Sequence, residues 1–533
     1  ALPISQPPGS DRPSPGLWQV FSGFSKPFEI GSASFPILPI LGGVLAILIF
    51  TWIGKLFLQC FELYLPKYAR RSMAFFCGLS IVAITLEPLA MLHWLYWPLV
   101  WFVLFVLIGI FWRLSFLHNR KSHPSSVEMD DARVLRRALQ NEASDRYERS
   151  LITPRGAAER LFHLFALGLI TLITFLTFYH ALLYPESYWD SLILYLGYAR
   201  MTFLEHGFPM KVVAQVGIGL GANYPHLYSL LGSAISTMFG HWSPIYQQLM
   251  APLAGLATTV LIYHTVLHIT RRKNHALAAA LLFRAIPYGI AYNIYASDYA
   301  IVMLLTAAFL YMALLYVETG LWGYFAILAL VTATGAHLNY LMNAMWGVWL
   351  ITILVAHMPM KQMPLHNEVS MNEDGLTSHT EPSFLRVDPT LSYHALFRSR
   401  RFWTISLVGI CLTLPWHIRN WIVTGNPVYA FFPDILGGKN INSEVLRSAF
   451  LEWKLNGDGI GVIAEQLYGT NSILNKIRAT WFYFFLWEHP WKVSPVFVAF
   501  GLPGLVFFFS QLYRQVRLRI LTGHVRFGLV AVT

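Results

Sequence analysis

The chain has 533 residues, of which 56% are hydrophobic and only 12% are charged. Soluble domains usually carry about 25% charged residues, so this composition excludes a typical soluble domain. The formal net charge is +11, but the basic residues cluster between apolar runs, where the positive-inside rule of membrane proteins explains them. We therefore predict an all-α polytopic membrane protein that contacts membrane lipids and has no nucleic-acid partner.

Apolar runs long enough to cross a bilayer as helices recur along the chain. They predict about 11 transmembrane helices, at roughly 36–58, 72–91, 93–113, 161–183, 246–268, 276–292, 299–317, 321–336, 340–357, 403–416 and 494–512. If these runs alternate in direction, the basic groups between them fall on one side, which the positive-inside rule makes cytoplasmic. Residues 191–240 contain two apolar stretches that are short for transmembrane helices. We expect them to form two helices along the outer interface, and the second could instead be a re-entrant helix.

The runs divide the chain into five regions. They are a flexible arm at 1–35, three extra transmembrane helices at 36–113, a charged cytoplasmic linker at 114–160, a transmembrane core at 161–512 with a cytoplasmic loop at 358–402, and a basic loop with the start of a further span at 513–533. Because the chain begins at Ala1 and ends within an apolar run, we expect a fragment open at both ends. The three cysteines lack the spacing of a zinc site or disulfide framework.

The alternation brings four polar stretches to the extracytoplasmic face. They are Asp190 with its flanks, 295–298, 337–339 and 415–434. A carboxylate at the membrane boundary, Asp190, can take a proton from an acceptor hydroxyl as a general base. The cations His417 and Arg419 can hold a lipid phosphate and stabilise charge as that phosphate leaves. These residue types predict group transfer from a lipid phosphate.

Five strings in a fixed order also resemble a known family. They are Tyr188-Trp189-Asp190-Ser191, Asn223-Tyr224-Pro225, Ala296-Ser297-Asp298, Pro415-Trp416-His417-Ile418-Arg419-Asn420 and Thr424-Gly425-Asn426-Pro427-Val428-Tyr429. Over about residues 160–512 the chain resembles the multi-span GT-C glycosyltransferases of bacteria, relatives of the protein O-mannosyltransferases and of the aminoarabinose transferase of lipid A. The resemblance implies inverting transfer of a sugar from a polyprenyl-phosphate donor to a hydroxyl or amine of a protein, lipid or glycan acceptor. The reaction is expected at the extracytoplasmic face of the plasma membrane.

The resemblance also assigns roles to residues. The family's first-loop acid, its proposed catalytic base, matches Asp190, and the cation at the lipid phosphate matches Arg419 with His417 as helper. Some relatives carry a second acid beside the first and a Lys before a Pro-Pro, and this chain lacks both. Arg200 and Lys211 are therefore further candidates for the lipid phosphate or donor.

Four polar residues are expected to support the site, and no metal or cofactor is predicted. The supporting residues are Asp298, Asn223, His337 and Asn339. The chain has no acidic cluster with metal-site spacing, although some GT-C relatives use a divalent metal.

Several candidates have an ordinary structural alternative. Asp190 and Asp298 each precede a helical run and could cap its first N–H groups. Arg419 could be an interfacial arginine that extends to water at a span end, and His337 with Asn339 could be polar caps at a junction. Residues 425–427 (Gly-Asn-Pro) are interpreted as a turn.

Two other functions stay open at this point. A transporter or flippase for a lipid-linked saccharide predicts an internal repeat, broken helices and polar residues near the midplane, and we find no convincing repeat. A non-catalytic membrane scaffold predicts that replacing Asp190 changes only stability.

Overall fold

The structure is a computed structural model that describes residues 37–61, 63–121, 156–184, 186, 191–209, 225–357 and 393–428, with isolated positions at 436, 472, 474 and 475. The described residues from Pro39 onward belong to one compact unit. Throughout these ranges the regular structure is helical, with no β-strand. This confirms the all-α prediction for the described part of the chain.

The α-helices follow one another closely along the chain. In order they are α1 (Ile37–Gln59), α2 (Lys67–Met91), α3 (Trp97–Lys121), α4 (Ala157–Leu183), α5 (Tyr198–Leu204), α6 (Leu227–Phe239), α7 (Ile245–Gln248), α8 (Met250–Thr270), α9 (Lys273–Ala285), α10 (Pro287–Ile294), α11 (Tyr299–Thr319), α12 (Trp322–Leu338), α13 (Met345–Ala356), α14 (Tyr393–Arg398) and α15 (Arg400–Thr424). A π-helix, Ser191–Gly197, leads into α5, and a 3₁₀-helix, Tyr340–Ala344, leads into α13.

Six helical segments among the described residues are long and apolar enough to cross a membrane. They are α1, α2, residues 97–118 of α3, α4, the continuous segment of α7 and α8, and α11. The chain is therefore a membrane protein with several spanning helices, whereas the total of about 11 stays a prediction. The spanning helices differ in burial. Of an 18-residue apolar stretch in each helix, 78% is buried in α2 and in α11, against 11% in α4. Helices α2 and α11 are therefore central, and α4 is peripheral.

Helices α1 and α2 cross with their backbones in contact at two glycines. A Cβ atom on Gly54 would lie only 1.9 Å from the carbonyl oxygen of Ala74, and one on Gly78 would lie 1.9 Å from that of Phe50. Small residues permit such close approach between membrane helices, where packing rather than water exclusion holds helices together.

We expect Gly78→Ala to destabilise the protein by about 1–3 kcal/mol, the usual cost of overpacking a well-packed interior. The atom that the new methyl group meets belongs to the backbone, so the helices themselves must separate. The thermal midpoint of the purified protein measures the effect. Gly109→Ala on α3 is the matched control, because a Cβ there meets nothing within 4 Å; equal midpoints for the two variants would contradict the close crossing.

The sequence predicts that the ends of α8 and α11 lie on the same side of the membrane, and in the structure these two ends are in contact. Nε2 of His268, near the end of α8, is 2.6 Å from a carboxylate oxygen of Glu318, near the end of α11. At the opposite end of the bundle, the N–H of Leu95 donates to the carbonyl of His206 at 2.9 Å. We call the end with Leu95 and His206 the outer end, and the end with His268 and Glu318 the inner end.

Helix α6 differs from the expectation of a helix on the outer interface. Every residue from Leu227 to Met238 is buried, and the helix packs against α2, α3 and α5. A helix lying on the interface keeps a polar face in water, which α6 lacks. Its small residues allow close packing instead: a Cβ on Gly232 would lie 2.2 Å from the Gln247 side chain. The re-entrant alternative fits this burial.

Two predicted spans have different limits in the structure. The run 276–292 is broken into α9 and α10 at Ile286, whose ψ of 122° is extended. Pro287 explains the break, because proline disfavours the helical conformation of the residue before it. The run 403–416 instead belongs to the longer α15, which continues through Pro415 to Thr424; the polar stretch expected to be a loop from residue 416 therefore begins as helix.

Candidate functional site

The structure describes six of the nine residues that the sequence selects. Asp190, Lys211 and Asn223 lie outside the described residues. The six that are described are Arg419, His417, Arg200, Asp298, His337 and Asn339. Of these, Arg419, Asp298 and His337 are buried, whereas Arg200 is exposed on α5.

Asp298 stands directly before α11 but does not cap it. Its side chain makes no capping hydrogen bond to the helix, and Oδ1 accepts the hydroxyl of Tyr195 at 2.5 Å. The residue is 3% exposed. The capping alternative for Asp298 is therefore wrong, and its carboxylate contacts the π-helix that follows α4 instead.

A second carboxylate, Glu186, lies in the same region and was not selected from the sequence. Oε2 of Glu186 accepts the N–H of Ala296 at 2.8 Å, which ties the first loop to the stretch that ends in Asp298. Burial raises the pKa of Tyr295, and the negative charge of Glu186 raises it further. The first loop thus supplies an acid beside Asp298, four positions before Asp190.

A narrow cleft opens beside Glu186. Its lining residues come from the ends of α4, α7 and α10 and from the residues that follow α4 and α10: His180, Ala181, Tyr184, Glu186, Gln248, Ile294 and Tyr295. The water-accessible volume is about 10 Å³, which holds about one water molecule. As bounded by these residues, the cleft admits a single small group rather than a whole sugar.

Tyr195 is held by side chains from two neighbouring helices. Its carbonyl oxygen accepts the hydroxyl of Ser229 at 3.0 Å and the amide of Gln247 at 3.4 Å, and its ring meets Tyr228 edge-on at 5.8 Å. Tyr195 lies in the π-helix, a conformation that is frequent at functional sites. These contacts fix the direction of the hydroxyl that Asp298 accepts.

Arg419 is buried within α15 rather than extended to water. It is 5% exposed, and Nη1 donates to Oδ1 of Asn420 at 2.9 Å. Its guanidinium carbon lies 4.7 Å from the ring centroid of Trp416 and 6.0 Å from that of Phe208, within the range of cation–π attraction. The alternative of a snorkelling interfacial arginine is therefore wrong.

Tyr198 lies near this arginine and follows Tyr195, the partner of Asp298, in the chain. It lies one helical turn after Tyr195 and stacks on His226 with ring centroids 4.1 Å apart, and His226 in turn meets Trp416 at 5.6 Å. Burial raises the pKa of Tyr198, and the positive charge of Arg419 offsets part of that rise. We call these neighbouring residues the outer cluster: Glu186, Tyr195, Tyr198, His226, Asp298, Trp416 and Arg419.

His337 forms a buried link between three helices. Its Nε2 lies 2.5 Å from the carbonyl oxygen of Leu412 on α15, and its Nδ1 lies 2.5 Å from a carboxylate oxygen of Glu87 on α2. The second contact has the distance but not the angles of a hydrogen bond, so we treat it as an ion-pair contact. His337 thus joins α2, α12 and α15, and the polar-cap alternative for it is wrong.

The remaining candidates take part in local structure. Nδ1 of His417 lies 2.9 Å from the carbonyl of Pro427. Gly425 ends α15 with φ of 77°, and Oδ1 of Asn426 accepts the N–H of Val428 at 2.9 Å. This confirms that residues 425–427 form a turn. Asn339 follows α12, and its backbone N–H donates to Gly335.

Comparison with known proteins adds no relative. A scan against protein-family models found no match, and searches of curated proteins and of solved structures found none either. The resemblance to GT-C enzymes thus stays an expectation drawn from the sequence. Among the described residues, no three His, Cys, Asp or Glu side chains are grouped to hold a metal ion.

Proposed function

We propose that the chain is an inverting glycosyltransferase of the plasma membrane that uses a polyprenyl-phosphate sugar at the outer end of the bundle. In this proposal the outer end is extracytoplasmic, and the acceptor is a hydroxyl or amine of a protein, lipid or glycan. The observation that carries the proposal is the outer cluster. It brings the buried Asp298 and Arg419 and the half-buried Glu186 to the same end of the bundle.

The chemistry needs an acid–base group and a cation on opposite sides of the reacting carbon. The acceptor oxygen attacks the anomeric carbon, and its proton passes to the carboxylate of Asp190. The bond from that carbon to the phosphate oxygen breaks, and the electron pair leaves with the polyprenyl phosphate. Attack opposite the leaving group inverts the anomeric carbon, and Arg419 offsets the negative charge that develops on the phosphate.

The first test compares sugar transfer by the parent chain and by Asp190→Asn in membranes supplied with a mixed pool of polyprenyl-phosphate sugars. The replacement keeps the shape of the side chain and removes the base, so we expect transfer to fall about 10²-fold. Protein level and donor binding are measured alongside. Glu205→Gln is the control, because Glu205 is an exposed carboxylate on the same side of the bundle. Equal transfer by parent and Asp190→Asn would remove Asp190 from the mechanism.

A flippase for a lipid-linked saccharide is the second candidate. The break between α9 and α10 and a buried cation beside it, Arg284, are features that transporters share. Movement of the labelled donor across the membrane without a transferred product would favour this function over the transferase.

A further inference from the structure

A buried arginine, Arg284, lies apart from the outer cluster. Its side chain is 1% exposed, near the end of α9. Nη2 donates to the hydroxyl of Thr177 on α4 at 2.7 Å. Nε and Nη1 have no hydrogen-bond partner among the described residues, and no described carboxylate pairs with the guanidinium.

A second polar group converges on the same point. Oδ1 of Asn293 on α10 is buried and also has no partner among the described residues. A Cβ on Gly255 of α8 would lie 2.2 Å from this oxygen and 2.6 Å from Nη1 of Arg284. Both polar atoms therefore pack against Gly255, in the place that a larger side chain would occupy. We call Thr177, Gly255, Arg284 and Asn293 the Arg284 site.

The Arg284 site lies below the outer end and beside the peripheral helix α4. Thr177 is about 9 Å from the outer end of α4, and Gly255 about 8 Å from the outer end of α8, at 1.5 Å per residue. Few residues of α4 are buried, and those next to Thr177 are partly exposed. The cleft adjoins the site, because its lining residues Ala181 and Ile294 are one turn from Thr177 and next to Asn293.

A guanidinium group at this depth requires an anion. It stays charged under all ordinary conditions, and a buried charge without a partner costs several kcal/mol. Guanidinium matches phosphate oxygens with directed hydrogen bonds. The amide of Asn293 can add a donor, because rotation by 180° exchanges its oxygen and nitrogen.

We propose that the Arg284 site binds the phosphate of a lipid whose chain lies along α4. A free phosphate ion shares this chemistry, but the depth of the site within an apolar bundle and the peripheral position of α4 favour a lipid. The site goes beyond the proposed transfer reaction and would serve a transferase or a flippase alike.

The test measures the thermal midpoint of purified protein during titration with farnesyl phosphate, farnesol or inorganic phosphate. The protein used for the titration carries Arg419→Met, which removes the cation of the outer cluster. A rise in the midpoint of this variant background therefore reports binding at the Arg284 site. We expect farnesyl phosphate to raise the midpoint in a saturable way and farnesol to leave it unchanged. An equal rise with inorganic phosphate would overturn the assignment to a lipid, and no rise with either phosphate would overturn the site.

Two variants in that background locate the binding. Arg284→Met is expected to abolish the rise while leaving the ligand-free midpoint equal or higher, because an uncompensated buried charge is removed. Gly255→Ala keeps the guanidinium but fills its space, and we expect half-saturation to need at least ~10 times more farnesyl phosphate, in line with a lost charge-assisted hydrogen bond. Arg160→Met, an exposed arginine at the other end of α4, should keep the full rise. A ligand-free midpoint below the background's for Arg284→Met would show that the guanidinium is already paired, and would overturn the proposal.

Discussion

Glu87→Leu is expected to lower the free energy of unfolding by about 3–5 kcal/mol, the cost of removing one partner from a buried ion pair. The carboxylate of Glu87 and the ring of His337 are both buried, and their closest atoms are 2.5 Å apart. Leucine fills much of the space of the glutamate side chain but leaves Nδ1 of His337 facing an apolar group. Because His337 also contacts the carbonyl of Leu412, the loss should affect three helices together.

Two further variants separate the polar contact from packing. Glu87→Gln offers an amide N–H to the ring, and we expect a smaller loss than for Glu87→Leu. The double variant Glu87→Leu with His337→Leu removes both buried polar groups, and we expect it to recover much of the stability. Unfolding in mixed micelles measures all three. Additive losses in the double variant would show that the two side chains do not interact.

Arg419→Met is expected to reduce sugar transfer by about 10²–10³-fold, as for removal of a group that stabilises developing charge. Methionine keeps an unbranched apolar stem against Trp416 and Phe208 and removes the guanidinium that lies over their rings. Without this cation, the proposed site binds the donor phosphate less tightly and stabilises the developing negative charge less. We therefore expect both the donor affinity and the rate at saturating donor to fall.

The controls for this variant use the same helix and the same charge. Arg401→Met changes an exposed arginine at the inner end of α15, and its transfer should match that of the parent. Arg419→Lys keeps the charge without the planar fork, and we expect intermediate transfer because lysine holds phosphate as a point charge. Unchanged transfer in Arg419→Met, with the protein folded, would exclude Arg419 from the reaction.

Local patterns in the sequence predict much of this fold. The apolar runs locate the long helices, and the positions of basic residues predict which helix ends meet, as at His268 and Glu318. The Gly-Asn-Pro turn after α15 is also predictable, since its geometry depends on the residues in it. The sequence also predicts that Arg419 lies at the outer end, where it contacts Phe208 and Trp416, although its burial there could not be foreseen.

The rest depends on contacts between residues far apart in the chain. Glu186 reads as an ordinary loop acid until its carboxylate meets the N–H of Ala296. Glu87 carried a usable signal, because an acidic residue inside an apolar span is rare and usually has a partner, but only packing shows that the partner is His337. The burial of α6 has the same origin, since its composition alone does not distinguish an interfacial helix from one inside the bundle.

Because α4 lies at the periphery of the bundle, the thickness of the bilayer can affect the position of the cleft. The apolar stretch of α4, residues 161–183, is about 35 Å long at 1.5 Å per residue, whereas the hydrocarbon core is about 30 Å thick. Such a mismatch is met by tilting the helix or by thickening the surrounding lipid. Residues at one end of α4 line the cleft, so a change in tilt would alter how far the cleft lies from the head groups. Membranes of different acyl-chain length would then hold the cleft at different depths below the head groups.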